Sequence, residues 1–265
     1  MQNDCTLLVN SYDGGEDLWE GFFTALKVQW PEFNMPIVLN TESKEYSFPG
    51  FEIKTFSLYQ KGARVPWGKR LRETLKRIDT EYVLFFLEDF WLDAPVDVEH
   101  FEKCRQWMRD NADVATISFQ RTRGNNIKDG RFDRFEKRPQ KGPYRMNCQA
   151  ALWRKDKLYA FVRSHESPWE WEEYGSKRSS RNKESLYTLI ENAPKVFSYN
   201  LSMGGVLHRG RWCKEVVLPL KELYGLNIDF TKRGFHENWV AENHKRKRNL
   251  WRGIKNRINK LRSLI

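Results

Sequence analysis

Tyr82-Val83-Leu84-Phe85-Phe86-Leu87-Glu88-Asp89 decides the architecture: six consecutive large apolar residues end abruptly on two carboxylates. An unbroken apolar run of strand length predicts a strand covered on both faces, at the centre of a sheet. Upstream, Cys5-Thr6-Leu7-Leu8-Val9-Asn10 is a second buried-strand pattern, and it opens into Ser11-Tyr12-Asp13-Gly14-Gly15, a turn composition. Leu18, Trp19, Phe22, Phe23, Leu26 and Trp30 then recur at three- and four-residue spacing until Pro31 stops the helix they predict. Met35 to Leu39 and the alternating Phe51 to Phe56 predict two more strands, the first running into Asn40-Thr41-Glu42-Ser43. Leu71, Leu75 and Ile78 mark one face of a helix that begins near Trp67. Downstream, Val98, Phe101, Cys104, Arg105 and Met108 predict a helix, and Val114 to Phe119 a strand. Strands alternating with helices in this way predict an α/β fold, a mostly parallel doubly wound sheet over about the first 120 residues. The second half is less regular. Gln120 to Gly142 reads as a long basic loop, and Asn147 to Lys155 leads into a helix carrying Leu158, Phe161 and Val162.

The chain has 265 residues, 40% of them hydrophobic, with 11 Trp, 17 Phe and 10 Tyr, which excludes a disordered polymer. Its net charge of +11 points first to nucleic acid or an anionic membrane. Nine of its basic residues, with no acidic one, lie between Asn243 and Ile265, leaving the other 242 residues at a net +2. Cys5, Cys104, Cys148 and Cys213 fall in no metal-ligand or redox spacing and suit a reducing compartment. Met1-Gln2-Asn3-Asp4-Cys5 lacks the pattern of a secretory signal, so a cytosolic protein is expected.

In open α/β sheets ligands bind beyond the carboxyl ends of the strands, here Ser11 to Gly15, Asn40 to Ser43 and Glu88-Asp89. The Glu88-Asp89 pair has two readings. One is a helix cap or a salt bridge to a nearby arginine. The other is a site for Mg2+ or Mn2+, whose preference for hard oxygen ligands would let it bridge the pair to the phosphates of a nucleotide. Ser167-Pro168-Trp169-Glu170 predicts a helix start with a capping box, which gives Glu170 a structural task. Glu172 and Glu173 have no such task. One of them, beside Trp169 and Trp171, could sit in a partly apolar pocket that raises its pKa toward general-base duty, or both could simply complement the helix dipole. In Met203 to Trp212, two glycines with His208, Arg209 and Arg211 suit a diphosphate or a metal shell, although a lone histidine also serves as a structural hydrogen-bonder.

Taken in order, Ser11-Tyr12-Asp13, Trp67 with Arg70 and Leu71, Tyr82 to Asp89, Gln149-Ala150-Ala151-Leu152-Trp153, Ser167 to Glu172 and Arg209-Gly210-Arg211-Trp212 resemble bacterial glycosyltransferases of the GT-A fold. The similarity is to the family-2-like group that builds capsule and lipopolysaccharide sugars, and it covers most of residues 5–215. The resemblance implies a nucleotide-sugar donor, a UDP-sugar favoured, with a divalent Mn2+ or Mg2+ cofactor and displacement at the anomeric carbon. It implies that Ser11, Tyr12 and Asp13, helped by Glu42 and Arg70, bind the donor, and that Asp89 matches the metal-binding end of the family's DxD motif. Here the motif is Leu87-Glu88-Asp89, so Glu88 could touch the metal, the sugar or neither. Glu172 matches the general base, with Glu170 and Glu173 as alternatives, while Arg209 and Arg211 would neutralise the diphosphate and His208 would join the metal. Trp153, Trp169 and Trp171 offer aromatic faces to an acceptor sugar, though each could equally be core.

In the tail, Leu250, Ile254, Ile258, Leu261 and Ile265 form an apolar stripe opposite charges of one sign. That pattern predicts a C-terminal amphipathic helix lying on anionic lipid, with docking on the domain as the alternative. The expected organisation is a glycosyltransferase domain over 1–242, with a nucleotide-sugar half to about 120 and an acceptor half from 121, then a membrane-associating helix over 243–265. The expected place is the inner face of the cell membrane, and the expected acceptor is a saccharide or a lipid-linked sugar. Two competing readings are a non-catalytic carbohydrate-binding module and a nucleic-acid binder using the tail with Arg121, Arg123, Lys128, Arg131, Arg134, Lys137, Arg138 and Lys141. Nucleic acid is not the expected partner, because the strand-exit carboxylates would repel phosphate unless a metal intervened.

Overall fold

The computed structural model describes residues 4–122, 124–200, 204–236, 260, 262 and 263. Its main sheet contains β1 (Cys5–Asn10), β2 (Ile37–Asn40), β3 (Ile53–Thr55), β4 (Tyr82–Phe86), β5 (Val114–Ser118), β6 (Phe135–Lys137), β7 (Ala151–Arg154) and β8 (Ser185–Leu189). They lie in the order β3-β2-β1-β4-β7-β5-β8-β6. β3, β2, β1 and β4 are mutually parallel. β7 runs antiparallel between β4 and β5, β8 is parallel to β5, and β6 is antiparallel at the edge.

Both faces are covered, as the unbroken apolar runs require. In β4, Leu84 and Phe86 enter one core with Trp19, Phe22, Trp30 and Phe101, while Val83 and Phe85 enter a second with Leu71, Leu75, Trp153 and Trp171. Helices α1 (Glu16–Gln29), α3 (Val98–Asp110) and α7 (Lys214–Tyr224) pack on the first face. On the second lie α2 (Trp67–Leu75) and α4 (Lys155–Phe161). After α4 come α5 (Pro168–Glu170), a π-helical turn (Trp171–Gly175) and α6 (Ser176–Ser179).

The structure departs from the sequence reading in the second half. β5 does not pair with β4, because β7 inserts between them. The stretch expected to be one loop, Gln120 to Gly142, contains β6. Its arginines are largely engaged within the chain: Arg131 with Asp113, Arg134 with Asp97, Arg121 with Glu191, while Arg138 is buried. That removes most of the cationic face a nucleic-acid binder would need.

Among the described residues no helix is long and apolar enough to cross a membrane. The helix expected over 243–265 lies outside the described residues except at Lys260, Arg262 and Ser263. At that end Ser263 is buried: its carbonyl accepts from Arg178 Nη1 at 2.5 Å, and its hydroxyl lies 2.8 Å from His165 Nε2. Ser263 is thus held against the domain, and the rest of the segment expected to meet lipid lies outside the described residues.

Candidate active site

The exits of β1 and β2 are knitted together by side chains. Asn40 donates to Asn10 Oδ1 at 2.6 Å and accepts from the Thr74 hydroxyl of α2 at 2.9 Å. The Asp13 carboxylate accepts from the backbone N–H groups of Glu42, Ser43 and Lys44 at 2.9–3.1 Å and from the Ser43 hydroxyl at 2.7 Å. Burial pushes its pKa up, but these donors win and hold it below the usual carboxylate range. Glu42 in turn accepts from the Asp13 N–H at 2.5 Å and sits 3.1 Å from Arg70 Nε. Arg70, carried in by α2 and buried, also donates to the Ser11 carbonyl, and its charge acts on Glu88.

One guanidinium thus ties together the exits of three strands. Ser11 and Arg70, expected to touch a donor, are enclosed instead. The Ser11 hydroxyl accepts from Trp19 Nε1 at 2.8 Å. With Asp13 and Glu42 they build the rim, and Tyr12, 41% exposed, is its open face. The rim gains a residue that the sequence did not suggest: Arg233 holds Asp17 at 2.5 and 2.6 Å and the Gly14 carbonyl at 2.6 Å. A cavity of about 380 Å3 opens there, lined by Asp13, Gly14, Asp17, Lys44, Lys232 and Arg233 among others. No local motif marks Arg233, because the contact spans most of the chain.

Beyond β4 the chain turns at once, with Phe90 N–H on the Leu87 carbonyl at 3.2 Å. Glu88 and Asp89 are both pushed well above ordinary carboxyl values, first by burial and, for Asp89, further by the charge of Glu88. The Arg70 guanidinium offsets part of this at Glu88. Among the described residues Asp89 Oδ1 is buried with no hydrogen-bond partner, a costly state for a carboxylate unless a ligand supplies the missing countercharge. The residue is held from behind: Val206 N–H donates to its carbonyl at 2.9 Å. Gly205, at φ +120°, approaches so closely that a Cβ there would stand 2.6 Å from that carbonyl.

β9 (Leu207–His208) and β10 (Arg211–Trp212) follow as a hairpin turned through Arg209 and Gly210, at φ +51° and +81°. Two positive φ values are the mark of a two-residue hairpin turn, so these residues have a structural reason to stand together. His208 meets His236 edge-on, with ring centroids 4.6 Å apart, and Arg211 is exposed. His236 is a second residue the sequence reading missed. Among the described residues no group of three or more His, Cys, Asp or Glu side chains is placed to hold a metal. The orphaned Asp89 oxygen suits one bond to a divalent cation, with the remaining bonds left to water or to phosphate oxygens.

β7 starts opposite the end of β4, with Ala151 paired to Phe85, and Cys148 lies three residues before it. Cys148 N–H donates to Glu172 Oε1 at 3.0 Å. Burial drives the Cys148 thiol pKa up, and the charges of Glu172 and Asp89 both add to the rise. Both carboxylates are therefore near enough to Cys148 for their charges to act on it.

The three candidate glutamates separate cleanly. Glu170 Oε2 accepts from Ser167 N–H at 2.8 Å, completing the capping box. Glu173 is exposed and pairs with Lys177 at 2.7 Å. Glu172 is half-buried, its pKa raised by burial and only partly restrained by the Cys148 N–H. It lines a cavity of about 720 Å3 with Lys141, Tyr144, Trp169, Ser176 and Lys177. The π-helical turn begins here, a distortion often found at functional sites.

The tryptophans also separate. Trp169 is 77% exposed beside Tyr144 at 57%, whereas Trp153 and Trp171 are core residues with ring centroids 6.2 Å apart. A sugar cannot reach those two. Successive helical residues turn by about 100°, so Trp169 and Trp171 face opposite ways.

No protein-family model and no curated protein matches the chain. Solved structures do. The mannosyltransferase PcManGT from Pyrobaculum calidifontis, in complex with GDP-Man and Mn2+, aligns at TM-score 0.51 and 12% identity over 79% of this chain. S. aureus TarS aligns at TM-score 0.50 and 12% identity over 85% of it. The chain spans 59% of the first and 40% of the second. These likenesses, with the sheet order above, show a GT-A-like fold.

Proposed function

We propose that this chain is a metal-dependent glycosyltransferase that moves a sugar from a nucleotide donor, a UDP-sugar by resemblance, to a saccharide or lipid-linked acceptor. The observation that carries the reading is an orphaned, buried Asp89 oxygen and a raised-pKa Glu172 whose charges both act on Cys148. Tyr12 would meet the nucleoside, and Arg209 and Arg211 the diphosphate. Asp89, with His208, would hold Mn2+ or Mg2+, which supplies charge neutralisation to the leaving diphosphate. PcManGT was solved with Mn2+, which supports the metal. Glu172 would take the proton from the acceptor hydroxyl as that oxygen attacks the anomeric carbon and the bond to the diphosphate breaks, giving inversion. Trp169 and Tyr144 would bind the acceptor face.

The organisation proposed is a catalytic domain over 1–242 and a basic segment over 243–265 that brings it to an anionic membrane at the cytosolic face. Arg178, which holds Ser263, stands on the same short helix as the cavity residues Ser176 and Lys177. Seating the tail there would set the acceptor cavity close to the lipid. A role in capsule or lipopolysaccharide synthesis follows from the resemblance. The test is a thermal-shift panel of UDP-, GDP-, CDP- and dTDP-sugars with and without Mn2+. One donor should stabilise the protein only with metal, and Asp89→Asn should lose that response. Stabilisation by free sugars alone, without nucleotide or metal, would instead indicate a carbohydrate-binding module.

A further inference from the structure

Behind the acceptor cavity, Arg138 and Arg145 are each only 3% exposed, with guanidinium groups close enough that the charge of Arg145 disfavours that of Arg138. Arg138 Nη2 donates to the Pro143 carbonyl at 2.9 Å. Arg145 donates to the carbonyls of Pro139 and Glu184 at 2.7 and 2.9 Å. These bonds brace the 138–145 loop from within, but they leave Arg138 Nε, Arg138 Nη1 and Arg145 Nε buried without a partner. Among the described residues neither guanidinium forms an ion pair. The acids nearest in effect are Glu136, accepting from Asn126 Nδ2 at 2.7 Å, and Glu184, whose Oε1 pairs with Lys157 at 3.2 Å while its Oε2 is buried without a hydrogen-bond partner.

The two arginines line a small cavity with Thr116, Ser118, Thr122, Asn147 and Tyr187, and no acidic side chain contributes to the lining. Its free volume of about 10 Å3 admits a single water-sized guest and excludes phosphate or a sugar. A water would satisfy hydrogen bonds but bring no charge, leaving the two buried guanidinium groups offset only by Glu136 and Glu184 from beyond ion-pair distance, a costly arrangement. We infer that this cavity is a binding site for one monatomic anion, chloride under ordinary conditions, clamped between Arg138 and Arg145.

Burial and the charge of Arg145 push the Arg138 pKa down to about 10, the direction an anion between them would reverse. Because the same loop supplies Lys141, Gly142, Pro143 and Tyr144 to the large cavity beside Glu172, the anion would stiffen that wall. The inference stands on the buried arginines and does not depend on the reaction proposed above.

The test uses the full chain. Crystals grown in sodium bromide should show an anomalous peak between the two guanidinium groups. The melting temperature should rise by about 2–4 °C, saturating as for one site, when bromide or chloride replaces gluconate at constant ionic strength. Arg138→Met should abolish the halide response; if that variant does not fold, the bromide peak in the unaltered protein decides alone. Absence of anomalous density there, with identical melting in gluconate and bromide, would overturn the inference.

Discussion

Glu172 differs from its neighbours because its carboxylate is half-buried with one backbone donor, whereas Glu170 caps a helix and Glu173, on the same cavity wall, is exposed and pairs with Lys177. Glu172→Gln should therefore keep donor binding and lower transfer by about 10²–10⁴-fold, measured as kcat with the donor saturating. Glu173→Gln should leave both unchanged. The base works only when ionised, and burial raises its pKa, so the rate should climb with pH through a midpoint above the ordinary glutamate value and then level off. In Glu172→Gln this acid limb should vanish from the pH–rate profile. Asp89 calls for a different measurement. Its buried, unpartnered oxygen makes the metal-free carboxylate unfavourable, so Asp89→Asn should melt no lower than the parent without metal while losing the Mn2+-dependent shift. At this scale the sequence was partly legible. Residue type and position at strand and helix ends singled out Asp89 and Glu172, but burial separated Trp169 from Trp153 and Trp171, and only the folded contacts brought Arg233 and His236 into view.

At the scale of elements, the site depends on two close approaches. Arg70 draws the exits of β1, β2 and β4 to one guanidinium, and breaking such a buried pair costs about 3–5 kcal/mol. Urea unfolding of Arg70→Met should show a loss of that order, with nucleotide binding weakened even where the protein remains folded. Gly205→Ala places a side chain at φ +120° against the Asp89 carbonyl, so the hairpin base must shift, at about 1–3 kcal/mol. The variant should lose metal-dependent donor binding more than it loses helical content. The strands of the first half were legible because each is an apolar run long enough to declare itself. β7 has four residues, too few to show a period. β8 satisfies its buried hydroxyls through partners distant in sequence, Ser185 with Asp113 and Thr188 with the Gln120 carbonyl.

Across the whole molecule, charge and chemistry are segregated. The net +11 resides mostly in 243–265, and the body offers acidic groups at one edge of its sheet. Deleting 243–265 should abolish sedimentation with vesicles rich in anionic lipid, leaving the absence of binding to neutral vesicles unchanged. It should also leave Arg178 without the Ser263 carbonyl, so a small drop in melting temperature is expected. The amphipathic pattern of the tail was plain in the sequence, but whether its end meets lipid or protein depends on Arg178 and His165, which no periodicity could place. The central claim is that Asp89 serves the metal and Glu172 the acceptor proton in one transfer reaction. Its most direct test is release of nucleoside diphosphate from the stabilising nucleotide sugar, followed with and without Mn2+ in the parent, Asp89→Asn and Glu172→Gln proteins supplied with acceptor. Metal-dependent release by the parent alone is the expected result, and equal release by all three proteins, or none from any nucleotide sugar, would contradict it.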